Sequence, residues 1–379
     1  MTNQSISGKQ MQSILMMFWL GSVLVLGSSE QAKQDFWISI LIATIMILPM
    51  IALYVRLIKL YPGMDLYDIH SAVFGKVFGN IISVLYILFT VYLGSVLLRD
   101  FSIFIRLVSL PETPQSACSV MILLVVIFSV RNGAENIGRV AKFTWKFFVV
   151  FVIFTFIVGM KDMEISHLLP IMNTDFKGIL STSLSLFLLP LAEIILCLSF
   201  FSSVQQNVNP ARIFIKALGV TIAMFLIVAL RNVMLLGGEG SQIFFFTSFS
   251  AVSIISIGEF FSRFEILIGM TILLSGFTKL SVCLYTTSLG ITKVFHIKTR
   301  DAVVPCALIF ITLSLNMSHT AQELFQALPY FLIYALPFEV IFPIITLIGA
   351  EIRTRLKKSG SPRTDKQQDS LEQKNSENA

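Results

Sequence analysis

Three ionisable residues lie near the centres of long apolar segments, where charge is unexpected. They are Glu193, Lys279 and Glu339. A charged side chain at the centre of a bilayer costs at least about 2.5–3.5 kcal/mol, so such residues usually bind something or pair with one another. Two interpretations are open from the residues alone. Glu193 and Lys279 contact a ligand, or they form a structural ion pair that holds helices together.

The apolar segments also contain residues that can interrupt a helix. Pro190 precedes Glu193 by three residues and would free a backbone carbonyl, while Gly21 and Ser22 lie within the first apolar segment. Glycine is also common packing material between membrane helices. A break at Gly21-Ser22 would present N–H groups to a carboxylate, and a break at Pro190 would present carbonyls to an ammonium group. We therefore predict a ligand-binding site formed by Gly21, Ser22, Pro190, Glu193 and Lys279.

The composition defines the environment in which these residues act. Of 379 residues, 55% are apolar and only 13% are charged, whereas soluble domains carry about 25% charged residues. Lipid must therefore replace water over much of the surface. The net charge of +6 is spread between apolar segments, which indicates membrane topology rather than nucleic-acid binding.

Ten segments are long enough to be membrane spans, since a helix crosses the hydrocarbon core with about 20 residues. They are Met11–Gly27, Phe36–Ile58, Asn80–Leu98 (extending to Val108), Gln115–Val130, Val140–Met160, Ile179–Val204, Ile213–Leu236, Ser262–Ile291, Val303–Met317 and Leu328–Ile352. We interpret the first as a retained helix rather than a signal peptide. The stretch Ile243–Ile257 is predicted to be a helix in an outer loop. Residues 1–358 thus form a ten-helix transmembrane domain, and the polar residues 359–379 form a disordered cytoplasmic tail.

The distribution of Lys and Arg predicts the orientation. With both termini in the cytoplasm, the inner segments hold 20 of these residues and the outer loops hold three, Lys33, Lys161 and Lys177. Several charged residues near outer span ends are expected to reach the headgroups. They are Arg99, Asp100, Arg231, Glu259, Arg263 and Glu265.

The positions of the interrupted segments favour a particular architecture. Spans one and six begin the two halves of a five-plus-five arrangement, and because five is odd the second half would be inverted. Interrupted helices at matching places in inverted halves are typical of transporters that bind substrate near the bilayer midplane. We predict an all-α integral membrane protein with helices one and six broken.

Enzyme chemistry is not predicted. The four His are far apart, there is no phosphate-binding G-x-x-x-x-G-K-[ST] motif, and no Ser-His-Asp or Cys-His pairing can be argued. We expect no catalytic residues, no metal and no cofactor. The four Cys lie in or beside apolar segments and are predicted to be small buried hydrophobic residues.

A series of short motifs resembles one known family. They include Ile6-Ser7 with Gln10, Asp35-Phe36-Trp37-Ile38-Ser39, Tyr61-Pro62-Gly63, Gly75-Lys76-Val77-Phe78-Gly79, Leu110-Pro111-Glu112-Thr113-Pro114, Arg131 to Arg139 (R-N-G-A-E-N-I-G-R), Leu169-Pro170 and Phe277 to Lys279. In this order the chain resembles the GerAB-like B subunits of bacterial endospore germinant receptors, over roughly residues 5–355.

The resemblance implies a fold and a function. The fold would be that of the amino acid–polyamine–organocation (APC) transporter superfamily. The location would be the spore inner membrane, in assembly with an A subunit and a lipoprotein C subunit. The activity would be the sensing of a small germinant, often an amino acid, that triggers germination. The alternative is an active secondary amino-acid permease of the same superfamily, because the fold does not separate the two.

Overall fold

The computed structural model describes residues 5–23, 31–240, 244, 246–255, 265–317, 322–323 and 328–359. Twelve α-helices occur in these ranges: α1 Gly8–Val23, α2 Phe36–Leu60, α3 Leu66–Val108, α4 Gln115–Arg131, α5 Ala134–Gly159, α6 Phe176–Leu186, α7 Pro210–Leu236, α8 Thr247–Ser253, α9 Glu265–Phe295, α10 Thr299–Met317, α11 Leu328–Leu336 and α12 Phe342–Ser359. No strand is present in the described ranges. A single bridge joins Ile6 to Val204.

Two of the spans combine different helix types. The chain between α6 and α7 is π-helical over Phe187–Leu191 and 3-10 helical over Ala192–Ser203. A second π-helical segment, Pro337–Ile341, joins α11 to α12. Long 3-10 runs are uncommon and π segments are frequent at functional sites. Both irregular segments contain one of the acidic residues that the sequence placed in mid-span.

The helices have the length and surface of membrane spans. Eight helical segments in the described residues are long and apolar enough to cross a bilayer, and the shorter α4 is also apolar. Large apolar side chains such as Phe128 and Val77, each 71% exposed, face outward. Such a surface suits lipid rather than water. The membrane class is therefore confirmed, whereas the count of ten spans stays a prediction.

Helix α1 occupies the centre of the bundle. It packs against α5, α7 and α9, and Ile14 to Leu20 are nearly or fully buried. A helix segment that is buried on every side must be apolar all round, which Ile14 to Leu20 satisfy. Its start is held by a capping box, in which Ser7 N donates to Gln10 Oε1 over 2.8 Å and Gln10 N donates to Ser7 Oγ over 3.3 Å.

The third helix differs from its predicted start. Asn80 was expected to begin this span, but α3 begins at Leu66 and bends at Gly75. Gly75 has a φ of 81°, a backbone conformation that glycine adopts at little cost. The Gly75–Gly79 motif therefore lies inside the bent helix rather than before it. Of the predicted tail, Ser359 is the last residue of α12, and residues 360–379 lie outside the described ranges.

Candidate functional site

The predicted break at Pro190 is present. Leu189 leaves the helical region with φ −125° and ψ 110°, inside the π-helical segment Phe187–Leu191. Proline causes such a break because it lacks the N–H and its ring clashes with the preceding turn. The Leu191 carbonyl accepts a hydrogen bond from Trp19 Nε1 at 3.0 Å. The break is thereby joined to α1.

Glu193, Lys279 and Ser22 meet directly beside this break. Lys279 Nζ donates to Glu193 Oε2 and to Ser22 Oγ. The three residues lie on three different elements, and the Lys279 and Glu193 side chains are completely buried. The Lys279 ammonium is also 5.1 Å from the centroid of the Phe18 ring, within the range of a cation–π contact. The structure thus brings Lys279 into contact with residues that lie 86 and 257 positions earlier in the sequence.

Gly21 allows two helices to pack closely, and it does not interrupt α1 as predicted. Helix α1 is continuous through Gly21 and Ser22 to Val23, so the break predicted at Gly21-Ser22 is not present at those residues. A Cβ on Gly21 would lie 3.0 Å from Lys279 Cβ and 3.1 Å from the Ser275 carbonyl oxygen. The glycine is needed because α9 approaches α1 closely here. Residues 24–30 lie outside the described ranges.

A second buried carboxyl group lies near the pair, and it was not among the residues predicted to form the binding site. Glu339 is fully buried in the π-helical segment Pro337–Ile341, which contacts Ala192–Ser203. It interacts electrostatically with Glu193 and Lys279. Neither Glu339 carboxyl oxygen has a hydrogen-bond partner in the described residues, and neither does Glu193 Oε1. In the sequence, Pro337 and Pro343 on either side of Glu339 indicate an irregular helical segment there.

The arrangement provides donors and acceptors for a small zwitterion. The Lys279 ammonium can donate to a carboxylate, and the open Glu193 and Glu339 oxygens can accept from an ammonium group. Burying polar groups without partners costs free energy, so a group that satisfied them would remove that cost. No group of three or more His, Cys, Asp or Glu in the described residues could hold a metal ion.

The charged residues near the outer span ends do not behave as expected. Arg231, Arg99 and Asp100 are 0%, 3% and 8% exposed, so the prediction that they reach the headgroups is wrong. The Arg231 side chain turns into the bundle, where it donates to Thr155 and Asn232. Glu259 and Arg263 lie outside the described residues, as does the side chain of Glu265.

The fold and the irregular spans define a class, that of membrane proteins with the APC transporter fold. The transporter MhsT, solved in complex with L-phenylalanine, matches 91% of this chain and 89% of its own with a TM-score of 0.62 and 11% identity. The nucleobase–cation symporter Mhp1, solved with bromovinylhydantoin bound, matches 91% and 78% with a TM-score of 0.61 and 13% identity. At these identities the likeness concerns the fold alone.

Sequence comparison gives the family. The family described as "Spore germination protein" matches residues 5–324. Spore germination protein KB of Bacillus subtilis (strain 168) is 24% identical over 358 residues, covering 92% of this chain and 95% of that protein. Spore germination protein YndE of the same organism is 23% identical over 324 residues, covering 80% and 88%. The chain belongs to the spore germination protein family and is a multi-pass membrane protein of germination-receptor type.

Proposed function

We propose that this chain is the membrane subunit of a nutrient germinant receptor in the spore inner membrane. It would bind a small germinant, an amino acid, between α1, the broken span Phe176–Ser203 and α9, and the bound state would trigger germination. The observation that carries the proposal is the fully buried contact of Lys279 with Glu193 and Ser22. The membership of the chain in a germination family supports the same reading.

The hydrogen-bonding groups without partners support an amino acid as the ligand. One Glu193 oxygen is bonded to Lys279, and the other oxygen, Oε1, has no partner among the described residues. An amino acid brings an ammonium group for that acceptor and a carboxylate for the lysine. In sodium-coupled transporters of this fold an ion lies between the first span, which is α1 here, and the eighth span, which is α9 here. Lys279 could take the place of that ion, so that binding would be independent of sodium.

Three variants separate ligand binding from a purely structural ion pair. They are Glu193→Gln, Lys279→Met and the two combined. If the site binds the germinant, Glu193→Gln keeps membrane abundance but shifts the germinant concentration that gives half response. If the pair is structural, Glu193→Gln leaves Lys279 as an unpaired buried charge and lowers abundance. Abundance and germinant dose response are measured for all three, with Glu135→Gln in an exposed ion pair as the control.

The outcomes are distinct. Normal abundance with an unchanged dose response for Glu193→Gln would eliminate both explanations. Restoration of both abundance and response by the double variant would eliminate the ligand-binding role. A dose response that stays shifted in the double variant, at normal abundance, supports it.

Active transport is the second candidate function, favoured by the transporter fold of MhsT and Mhp1. The purified chain would be reconstituted alone into liposomes and supplied with radiolabelled amino acids. Accumulation that Glu193→Gln abolishes would favour a permease. Binding without accumulation would favour a receptor that retains the fold without the transport cycle.

Both termini are proposed to be cytoplasmic, with the Pro111–Pro114 and Lys161–Lys177 loops outside. The 20-to-3 distribution of Lys and Arg supports this orientation. Single cysteines would be placed in each loop and in the tail, in a background without the four native cysteines. An impermeant thiol reagent should label the loops and spare the tail. The reverse pattern would overturn the topology.

Assembly with an A subunit and a lipoprotein C subunit is proposed on the family relationship. The described residues include no soluble domain through which a signal could leave the membrane, so contact would use outward helix faces and short loops. Deleting the A subunit should lower the amount of this chain in the spore membrane. Normal abundance together with normal germination would contradict obligate assembly.

A further inference from the structure

A buried arginine away from the proposed germinant site has no acidic partner within the part of the chain that the structure describes. Arg231 lies near the C-terminal end of α7 and is 0% exposed. No acidic side chain forms an ion pair with it anywhere in the described part of the chain. A guanidinium group stays protonated when it is buried, so the charge cannot be removed by releasing a proton.

The described residues that bond to Arg231 are neutral. Arg231 Nη1 donates to Thr155 Oγ1 on α5 at 2.7 Å, and Nε and Nη2 donate to Asn232 Oδ1 at 3.2 and 2.9 Å. Asn232 Nδ2 in turn donates to Ser248 Oγ on α8 at 3.1 Å. The cluster joins α5, α7 and α8 but supplies no negative charge. The C-terminal end of α7 offsets only part of the charge, since a helix end carries the equivalent of about half an elementary charge.

The hydrogen-bond count shows what the guanidinium still lacks. The group has five N–H donors, and three of them have acceptors in the described residues. One N–H therefore remains on each terminal nitrogen. Two such donors are suited to a carboxylate, which accepts both, or to a halide shared between them.

We propose that Arg231 binds a small monovalent anion, a halide or a carboxylate, where α5, α7 and α8 meet. The anion neutralises the guanidinium and strengthens the attachment of α8 to α7. The site is separate from the Glu193–Lys279 pair. Its failure therefore leaves the germinant proposal untouched, and the converse also holds.

The test compares anions at constant ionic strength on the purified full-length protein in detergent. Sodium gluconate, whose anion is large, is replaced stepwise by sodium chloride or by sodium acetate, and the thermal unfolding midpoint is recorded. Binding to the folded state predicts a rise of at least about 2 °C at saturation. A rise with chloride alone identifies a halide site, and a rise with acetate alone identifies a carboxylate site. A rise with neither overturns the proposal.

Two variants connect any rise to Arg231. Arg231→Gln should lose the anion dependence. Asn232→Asp places a fixed carboxylate against the guanidinium, so it should unfold at a higher temperature than the wild type in gluconate and should no longer respond to either anion. Arg212→Gln, which removes an arginine elsewhere on α7, is the control and should respond as the wild type does. An anion response that persists in Asn232→Asp and Arg231→Gln would refute the site.

Discussion

Two lysines of the same helix, α9, make ion pairs in opposite surroundings. Lys279 and its partner Glu193 are both 0% exposed. Lys293, about 21 Å further along the helix by its 1.5 Å rise per residue, is 36% exposed and pairs with Asp65 at 3.1 Å and Asp68 at 2.6 Å. Water can replace a lost partner only at the second place. We therefore expect stability to depend strongly on the Lys279 ion pair and only weakly on the Lys293 ion pair.

The largest expected effect comes from making the same substitution at both places. If the buried pair holds the helices together, Lys279→Met leaves a buried carboxylate without its cation and should cost about 3–5 kcal/mol of stability. Lys293→Met, at a site that water reaches, should cost about 1 kcal/mol or less. Thermal unfolding in detergent and abundance in membranes would measure both. Equal losses would mean that burial does not distinguish the two sites.

The pH dependence of stability should come from the partly exposed ion pair of Lys293. Burial raises the pKa of the Asp65 carboxyl from 3.8 to about 6, the neighbouring Asp68 adds to the shift, and Lys293 opposes it. Because folding favours the protonated form, this contribution is complete below about pH 4 and is lost as the pH rises to about 6. Its size is at most about 3 kcal/mol.

Asp65→Asn tests this assignment with little structural change. Asn can still accept the N-cap hydrogen bonds that Asp65 takes from Tyr67 N and Asp68 N. Thermal midpoints between pH 4 and pH 7 should therefore fall less steeply for the variant than for the wild type. Identical pH profiles would show that another group titrates in this range.

Close packing at the buried pair predicts a smaller effect. Gly21→Ala would bring a Cβ within 3.1 Å of the Ser275 carbonyl oxygen, so the loss should be about 1–3 kcal/mol. Gly219→Ala is the matched control, because nothing lies within 4 Å of its added Cβ. It should be neutral, or should stabilise α7 by up to about 1 kcal/mol. If both variants lost stability equally, the helix approach at Gly21 would not matter.

The smallest effect is expected where both partners meet water. Arg139 bonds Glu135 one helical turn away at 2.6 Å, and their side chains are 70% and 31% exposed. Arg139→Ala should change stability by no more than about 0.5 kcal/mol. The same unfolding measurement provides the value. A loss as large as that of Lys279→Met would contradict the ranking by burial.

Local sequence was sufficient for the features that depend on one segment. The apolar segments with few charges predicted a membrane protein, because lipid contact is a property of composition. Pro190 predicted a broken span, because a missing N–H and a ring clash act within one helical turn. The ordered motifs from Ile6 to Lys279 predicted the family. None of these inferences required knowing which helices are neighbours.

Contacts between distant segments were decided only by the tertiary structure. Ser22, Glu193 and Lys279 were predicted to share one site, but only the fold shows that the Lys279 ammonium bonds both of the others. The fold also placed Glu339 near them, buried Arg231, which had been expected to face the headgroups, and kept Gly21 helical. The physical reason is that a local pattern reports propensity and polarity, whereas the partner of a buried charge depends on how the helices pack. That packing brings together residues up to 257 positions apart.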